Sequence, residues 1–264
     1  MPHVTRLVVH PIKALDGVAV SSARISAGGT LEHDRDFALF DGEGRYVNGK
    51  ANPAVHGLRS NFDFESRRVR FGRQGSEQSY RFHVDRDRDA LEAWLGEYFG
   101  FPVRFEYRPP RGFPDDSDAF GPTLISHATL AEIGTWYPEL DFEDVRLRFR
   151  ANIEIDGVPA FWEDRLFGEP GTVVDFTVGS VRLEGINPCQ RCVVPSRNAR
   201  TGEVYPGFQR IFAAKRQETL PSWTTRSRFN HFYRISVNTR IPASETGKEI
   251  RTGDEIRIQG SRSA

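Results

Sequence analysis

Short runs of β-branched and aromatic residues recur along this chain from its first residues to its last. RLVVHPI, DFALFD, GRYVNG, RVRFG, YRFHV and PVRFEY come before residue 108, and NIEIDG, VVDFTVG, VRLEGI, FYRISVN and DEIRIQG come after it. Several of these runs alternate apolar and polar residues, which is the period of a half-buried strand. Because strands and helices do not alternate regularly, the pattern favours β-barrels over a doubly wound sheet.

Two segments have helical periodicity instead. Residues 87–99 place four large apolar side chains on one face, namely Leu91, Trp94, Leu95 and Phe99. Residues 128–140, ATLAEIGTWYPEL, form the second segment, and Ser126 or Thr129 can serve as its N-cap. We therefore predict a mainly β protein of the α+β class with few helices.

Residues 108–122, RPPRGFPDDSDAFGP, interrupt this pattern with Pro, Gly and Asp. Such a composition is typical of exposed connections rather than of a core. The 264 residues suffice for two modest domains. We predict one domain over residues 1–112 and a second over residues 113–264. A long functional loop is the alternative interpretation of 108–122.

Composition excludes several classes of protein. The 36 Lys and Arg balance 36 Asp and Glu, whereas a general nucleic-acid binder usually has a basic excess. Two cysteines are too few for a disulfide-built secreted scaffold. The N-terminus lacks the apolar core of a signal peptide, and no stretch approaches the roughly 20 apolar residues that span a bilayer. We expect a cytoplasmic protein that binds neither nucleic acid nor a membrane.

Both cysteines, Cys189 and Cys192, lie in one NPCQRC motif directly after VRLEGI. A structural zinc site needs four ligands, so residues such as His127 and His231 would have to be recruited. A thioredoxin-type dithiol normally opens a helix, whereas the VVP that follows is predicted to be extended. Two ordinary buried cysteines in a reduced cytoplasm are the third interpretation. The spacing alone leaves all three open.

Arginines accompany the motif. Arg191 lies between the cysteines, and RLRFRANI upstream is predicted to be an alternating strand with Arg146, Arg148 and Arg150 on one side. Nearby positive charge favours the thiolate, the form of cysteine that binds metals. Guanidinium groups bind phosphate through paired donors. This combination fits a metal cofactor that carries a phosphate, while a solvent-facing row of arginines is the alternative.

Four segments in this order, HPIKALDGV, LEHDRDFALFDGEGRYVNGKANP, RFRANIEIDG and PCQRCVVPSRNARTGE, resemble MOSC proteins, named for the C-terminal domain of molybdenum-cofactor sulfurase. The resemblance runs over nearly the whole chain. It is similar in particular to the branch that includes the mitochondrial amidoxime-reducing component and its bacterial relatives. The resemblance implies an N-terminal barrel-like domain, a MOSC β-barrel domain with a few helices, and the molybdenum cofactor between them.

The resemblance also implies the metal ligand. Cys192 matches the second cysteine of the family's CxRC motif, which coordinates molybdenum, and is therefore the predicted catalytic residue. Cys189 matches the first cysteine, which lies near the metal without being the expected ligand. Arg191, the arginine of the motif, is expected to bind the cofactor.

Five further residues are implied to hold the cofactor. Lys13 matches the lysine of the family's Pro-hydrophobic-Lys segment, and Arg35 matches an arginine that reaches the pterin-phosphate end. Arg150 and Asn152 match an Arg-x-Asn pair that contacts the cofactor. Ser126 falls where the family lines the cofactor pocket.

The activity implied by the resemblance is a two-electron reduction of N-hydroxylated or other N–O compounds at molybdenum. We expect a separate ferredoxin, or a haem protein with its own reductase, to donate the electrons. The sequence has no dinucleotide fingerprint, and an iron–sulfur cluster typically needs four cysteines. The family as a whole is also associated with pyridoxal phosphate.

The sequence departs from the family pattern at two positions, and the second departure favours an alternative function. Ala14 stands where family members often have serine, and Asn198 stands where they usually have an acidic residue before TGE. The alternative is a carrier or transfer protein for the molybdenum cofactor, or for sulfur, that does not turn over small molecules. A fold that has lost molybdenum and keeps CxxC as a thiol pair is a third interpretation.

Overall fold

The computed structural model describes residues 1–264 and contains fifteen β-strands and four α-helices. The prediction of a mainly β protein with few helices is confirmed. Three large clusters of buried apolar side chains hold the fold together. None of the helices has the length and apolar composition that crossing a membrane requires.

An eight-stranded sheet forms the largest part of the molecule. Its strands, in order across the sheet, are β15 (Ile256–Ser263), β11 (Thr172–Val178), β12 (Val181–Gln190), β13 (Arg234–Arg240), β9 (Leu124–Ser126), β10 (Ile153–Asp156), β1 (His3–Val9) and β2 (Val18–Val20). The sheet curls on itself, since His3 bridges Glu255 and the amide of Val4 donates to the carbonyl oxygen of Asp254 at 2.9 Å. Twenty buried apolar residues fill the resulting barrel.

The first strands of the chain belong to this barrel. β1 pairs antiparallel with β10, and β10 pairs parallel with β9. A short strand β3 (Ser22–Arg24) pairs with β14 (Glu249–Arg251). Backbone hydrogen bonds therefore join the first 24 residues to residues beyond 122. The domain boundary at residue 112 stays a prediction.

Residues 37–107 build most of a second core, which Ile12 and Leu15 complete. It lies between the pair β4 (Phe37–Asp41) and β8 (Val103–Tyr107), the sheet of β5 (Leu58–Asp63), β6 (Arg68–Arg73) and β7 (Ser79–His83), and helix α1 (Arg88–Phe99). Leu91 and Leu95 of α1 are completely buried in this core. The helix ends at Gly100 in the left-handed conformation (φ 78°), which glycine adopts without steric cost. The predicted helix over 87–99 is confirmed.

The second predicted helix, over 128–140, is confirmed in its first part only, because it ends at Thr135. It is α2 (His127–Thr135), and the hydroxyl of Ser126 caps it by accepting from the amide of Thr129 at 3.1 Å. Helix α4 (Phe208–Glu218) was not predicted. Its signal was present, since Phe208, Phe212 and Arg216 recur every four residues and are buried together, but charged residues surround them.

The predicted strand over RLRFR is wrong, because these residues form helix α3 (Phe142–Phe149). Asp141 caps the helix by accepting from the amide of Asp144 at 2.7 Å. Acidic residues in its first turn and arginines in its last turn suit the helix dipole. The alternation of Arg with apolar residues matches the period of a strand. The buried residues Val145, Arg148 and Phe149, however, have the helical spacing of three and four.

Because the carboxyl group of Glu163 is buried, we expect the free energy of unfolding to depend on pH. Glu163 is completely buried and accepts from the Ser126 amide at 3.2 Å and the Thr129 hydroxyl at 3.0 Å. Burial, followed by repulsion from Asp164, raises the pKa of Glu163 from 4.5 to about 7. Because the folded-state pKa is the higher one, the stabilisation by the protonated group is complete below about pH 4.5 and is lost as pH rises through about 7.

The variant Glu163→Gln, which stays neutral, should therefore lose less stability between about pH 5 and pH 8 than the parent chain, by on the order of 3 kcal/mol. Urea unfolding at both pH values measures this difference. The matched control is Glu218→Gln, at an exposed position of α4. An equal pH dependence in parent and Glu163→Gln would contradict the prediction.

Candidate functional site

A cavity of about 940 Å³ collects most of the residues predicted for the site. Its walls contain ten Lys and Arg but only three Asp, although the whole chain has no net charge. The basic residues are Lys13, Arg35, Lys50, Arg59, Arg148, Arg150, Arg191, Arg197, Arg228 and Arg234. The fold thus concentrates positive charge in one place.

Most of this charge has no carboxylate partner. Of the ten, only Lys13, Arg35 and Arg59 form ion pairs within the chain. In addition, five buried nitrogens in the cavity wall have no hydrogen-bond partner, namely Nε2 of His56 and Nε of Arg59, Arg148, Arg197 and Arg234. The basic side chains without carboxylate partners make the cavity suited to an anionic ligand that accepts hydrogen bonds.

The cysteine motif lies at the end of β12 and lines the cavity. Both Cys189 and Cys192 are free and half-buried. The register of β12 against β13 shifts between Pro188 and Gln190, and such irregularities redirect side chains next to binding sites. Arg191 holds the turn, since its guanidinium donates to the carbonyl oxygen of Phe149 at 2.8 Å and to Sγ of Cys189 at 3.3 Å.

The chain beyond the motif differs from the prediction. Val194–Ser196 form one turn of 3-10 helix instead of an extended segment. Arg148 of α3 fixes this turn by donating to the carbonyl oxygen of Pro195 at 2.9 Å. Contacts at Arg191 and at Pro195, one on each side of Cys192 in the sequence, therefore clamp the cysteine motif onto the end of α3.

Lys13 and Arg35 meet at the carboxylate of Asp115. The Lys13 ammonium contacts this carboxylate and also donates to the carbonyl oxygen of Phe113 at 3.0 Å. Nη2 of Arg35 lies 3.3 Å from the other carboxylate oxygen. Burial opposes the charge of Arg35, but Asp115, Asp34 and Cys189 together raise its pKa. Lys13, Arg35 and Asp115 form the first basic cluster.

Arg150 joins this cluster from the C-terminal end of α3. Its guanidinium donates to the carbonyl oxygen of Leu15 and to Nδ1 of His10, the latter at 3.0 Å. Burial and the charge of Arg150 lower the pKa of His10 well below its ordinary value, so the neutral ring accepts this bond. Burial lowers the pKa of Arg150 to about 10, which leaves it charged at neutral pH.

Backbone strain is concentrated at the same place. Ala14 (φ 71°), Arg35 (φ 58°) and Arg150 (φ 51°) all line the cavity in the left-handed conformation, which residues other than glycine adopt at a cost. Such strain clusters at functional sites, where the surrounding structure enforces it. Gly112 shows how tightly this region fits, because a Cβ there would lie 2.4 Å from the carbonyl oxygen of Arg35.

Two predicted cofactor-binding residues do not line the cavity. Ser126 is completely buried, and its hydroxyl is used as the cap of α2, so its assignment to the pocket lining is not supported. Asn152 is also buried, and its amide donates to the carboxylate of Asp34 at 2.9 Å. The same carboxylate lies 3.9 Å from Nε of Arg35. Asn152 can therefore position Arg35 through Asp34.

Several residues of the cavity had no motif in the sequence. Asp115 lies in the Pro/Gly/Asp-rich segment 108–122, so the interpretation of this segment as a functional loop had a physical basis. Arg59 on β5 reaches the carbonyl oxygen of Ala199 beyond the cysteine motif at 3.3 Å. Arg228 and Arg234 come from the loop before β13 and from β13 itself. These residues come close to the cysteines only because segments that are distant in the sequence pack together in the fold.

The departure at Asn198 does not change the lining. Its side-chain oxygen accepts from the amides of Arg200 at 2.8 Å and Thr201 at 3.0 Å and so closes a turn. Aspartate forms the same turn. Asn198 is absent from the cavity wall, whereas Ala14, the other departure, lies in it.

A metal site made only of protein side chains is not present, since no three His, Cys, Asp or Glu residues are arranged to hold an ion. His127 and His231, the candidates for a zinc site, do not line the cavity. This leaves the cysteines as single ligands, as partners in a thiol pair, or as structural residues.

The fold and the cavity define the class of the protein: a mainly β chain with an eight-stranded barrel and a cationic cavity that contains a CxxC motif. Residues 1–100 match the MOSC N-terminal beta barrel domain, and residues 122–257 match the MOSC domain. The chain belongs to the MOSC domain family.

Human molybdenum cofactor sulfurase is similar to this chain, with 22% identity over 250 residues. The match covers 76% of this chain and 27% of the human protein, so the chain spans about a quarter of the length of this curated relative. Among solved structures, the YuaD protein of Bacillus subtilis is 12% identical over 98% of this chain and 97% of its own, with a TM-score of 0.39. YiiM of Geobacillus stearothermophilus is 11% identical over 52% and 53%, with a TM-score of 0.32.

Proposed function

We propose that this chain binds the molybdenum cofactor through Cys192 and reduces N-hydroxylated or other N–O compounds. The observation that carries the proposal is a cysteine thiol in the wall of a cavity of about 940 Å³ that contains ten basic residues and three acidic ones. A soft thiolate suits molybdenum, and guanidinium and ammonium groups suit the phosphate of a pterin cofactor. Membership of the MOSC family and the similarity to molybdenum cofactor sulfurase support it.

The residues present fit such a cofactor. Cys192 would bind the metal, and Arg191 would keep the motif in place through its bond to Phe149. Lys13, Arg35 and Arg150 would neutralise the phosphate. Bound there, the cofactor would supply two-electron redox chemistry, while the protein supplies orientation and electrostatics.

The protein's own part in the reaction is to bind the substrate beside Cys192 and to limit its contact with water. The net reaction takes up two electrons and two protons and releases the oxygen of the N–O bond as water. We propose that a separate ferredoxin or haem protein donates the electrons, because the chain has two cysteines and no dinucleotide fingerprint.

Metal and pterin content test the proposal most directly. Protein made in cells that synthesise the cofactor should hold about one molybdenum per chain by elemental analysis and should release the fluorescent oxidised pterin. With reduced viologen as donor, it should then convert benzamidoxime to benzamidine. Repeated absence of both metal and pterin would contradict cofactor binding.

The similarity to a sulfurase favours one second candidate, a carrier of the cofactor or of its sulfur. The two candidates differ in the same experiment. A carrier should contain molybdenum and pterin, pass them to an apoenzyme, and leave benzamidoxime unchanged with every donor.

A further inference from the structure

A second group of basic residues lines the cavity apart from the first basic cluster. It consists of Arg228 and Arg234 together with the neutral Asn230, and we call it the second basic cluster. Arg234 lies on β13, where it pairs with Gln190 of β12, directly beside Cys189. No hydrogen bond or ion pair links this cluster to Lys13, Arg35 or Arg150.

The guanidinium of Arg234 is held by neutral acceptors only. It donates to the carbonyl oxygen of Pro188 at 3.1 Å, to Oδ1 of Asn230 at 2.9 Å and to Oε1 of Gln190 at 3.3 Å. Its Nε is buried without a partner. These contacts fix the direction of the side chain and leave its charge uncompensated.

Arg228 adds a second uncompensated charge. One of its nitrogens donates to the carbonyl oxygen of Ile186 at 2.7 Å, and it forms no ion pair. Glu169, whose charge opposes the lowering of the Arg228 pKa by burial, accepts from the hydroxyl of Ser227 and forms no ion pair with Arg228. Burial and the neighbouring Arg228 lower the pKa of Arg234, while Cys189 opposes this shift. The positive charges of Arg228 and Arg234 thus lie close together beside the cysteine motif, where they repel each other.

Cys189 lines the cavity with Arg35 of the first basic cluster, and it precedes Gln190, the residue that pairs with Arg234. The cysteine motif therefore lies between two separate basic groups. A single phosphate can neutralise only one of them, and the proposed function assigns the first cluster to the cofactor.

We infer that the second basic cluster binds a carboxylate of the substrate, so that this chain acts on N-hydroxylated compounds that carry an anionic group. The inference rests on the proposed function for the identity of the reacting group. Two guanidinium groups and the amide of Asn230 offer paired donors to the two oxygens of a carboxylate, which is the geometry arginine favours. One negative charge there also relieves the repulsion between Arg228 and Arg234.

Two probes that differ only in charge test the inference, 4-carboxybenzamidoxime and benzamidoxime. Without an electron donor neither is consumed, so calorimetry on the cofactor-loaded protein measures their binding directly. We expect the carboxylated probe to bind about tenfold or more tightly, as charge-assisted hydrogen bonds imply. Arg234→Gln and, independently, Arg228→Gln should remove most of this preference.

Arg226→Gln is the matched control, because Arg226 is an exposed residue of the same turn that does not line the cavity. It should leave the preference unchanged. Equal binding of the two probes by the parent chain would overturn the inference. So would a preference that survives both Arg228→Gln and Arg234→Gln, or one that is lost in Arg35→Gln alone.

Turnover with reduced viologen separates this inference from the proposed function. A binding preference without turnover of either probe supports the carboxylate site and contradicts the reductase activity. Equal turnover and equal binding of both probes supports the reductase activity and overturns the carboxylate site.

Discussion

Replacement of Cys192 by serine is expected to give a folded protein that contains almost no molybdenum and has no measurable reductase activity. A hydroxyl is a far poorer ligand than a thiolate for a soft metal, and the cavity offers no other protein sulfur except Cys189. Because Cys192 is only half-buried, the exchange of sulfur for oxygen removes little packing. Elemental analysis measures the metal, and urea unfolding verifies the fold.

Cys189→Ser is the matched control for this variant. Cys189 accepts a bond from Arg191 at 3.3 Å, and a serine hydroxyl can accept the same bond. We therefore expect this variant to keep most of its molybdenum and part of its activity. If both variants lose metal and activity alike, or if neither does, a thiol pair or a structural role becomes the better account of the motif.

The second large effect is expected at Arg150. Arg150→Asn removes the positive charge, while asparagine tolerates the left-handed backbone (φ 51°) better than most residues. Loss of its charge-assisted bonds to the cofactor should lower the affinity by roughly 1.5–3 kcal/mol, which is about tenfold or more. The ratio of molybdenum to protein after dialysis measures the loss.

Arg146→Ala provides the comparison, because Arg146 lies on the same helix but outside the cavity. It forms ion pairs with Glu143 and, at 2.9 Å, with Glu154. Its removal should affect unfolding more than cofactor content. A cofactor content that Arg150→Asn leaves intact, or that Arg146→Ala lowers equally, would contradict the assignment of Arg150 to the site.

Arg146 and Arg150 show which structural features a sequence pattern can predict and which it cannot. RLRFR predicted a strand with all its arginines on one face. In the structure these residues form a helix in which Arg146 contacts Glu154, and Arg150 ends the helix and lines the cavity. The pattern was ambiguous because alternation over five residues fits a strand, while the signals for a helix are the Asp141 cap and the charges at each end.

Local chemistry in the sequence was enough for the elements with strong periodicity and for the cysteine motif. Ten of the eleven predicted runs form strands, whereas GRYVNG contributes only an isolated bridge between Phe40 and Tyr46. The short strands β2, β3, β9 and β14, and also β5, were not predicted. Helices α1 and α2 and the capping role of Ser126 depend on neighbours within a few residues, and such interactions can be read from the chain. The position of Cys192 in a basic environment was also indicated by Arg191 and by the family resemblance.

The distribution of charge was decided by the tertiary structure alone. Lys13 and Arg234 are more than two hundred residues apart in the chain, yet both line one cavity with Cys192. The same folding buried Asn152 against the carboxylate of Asp34 and left Arg228 and Arg234 without carboxylate partners. Such arrangements depend on which strands pair across the barrel, and the pairing energy of distant strands is not contained in any short segment.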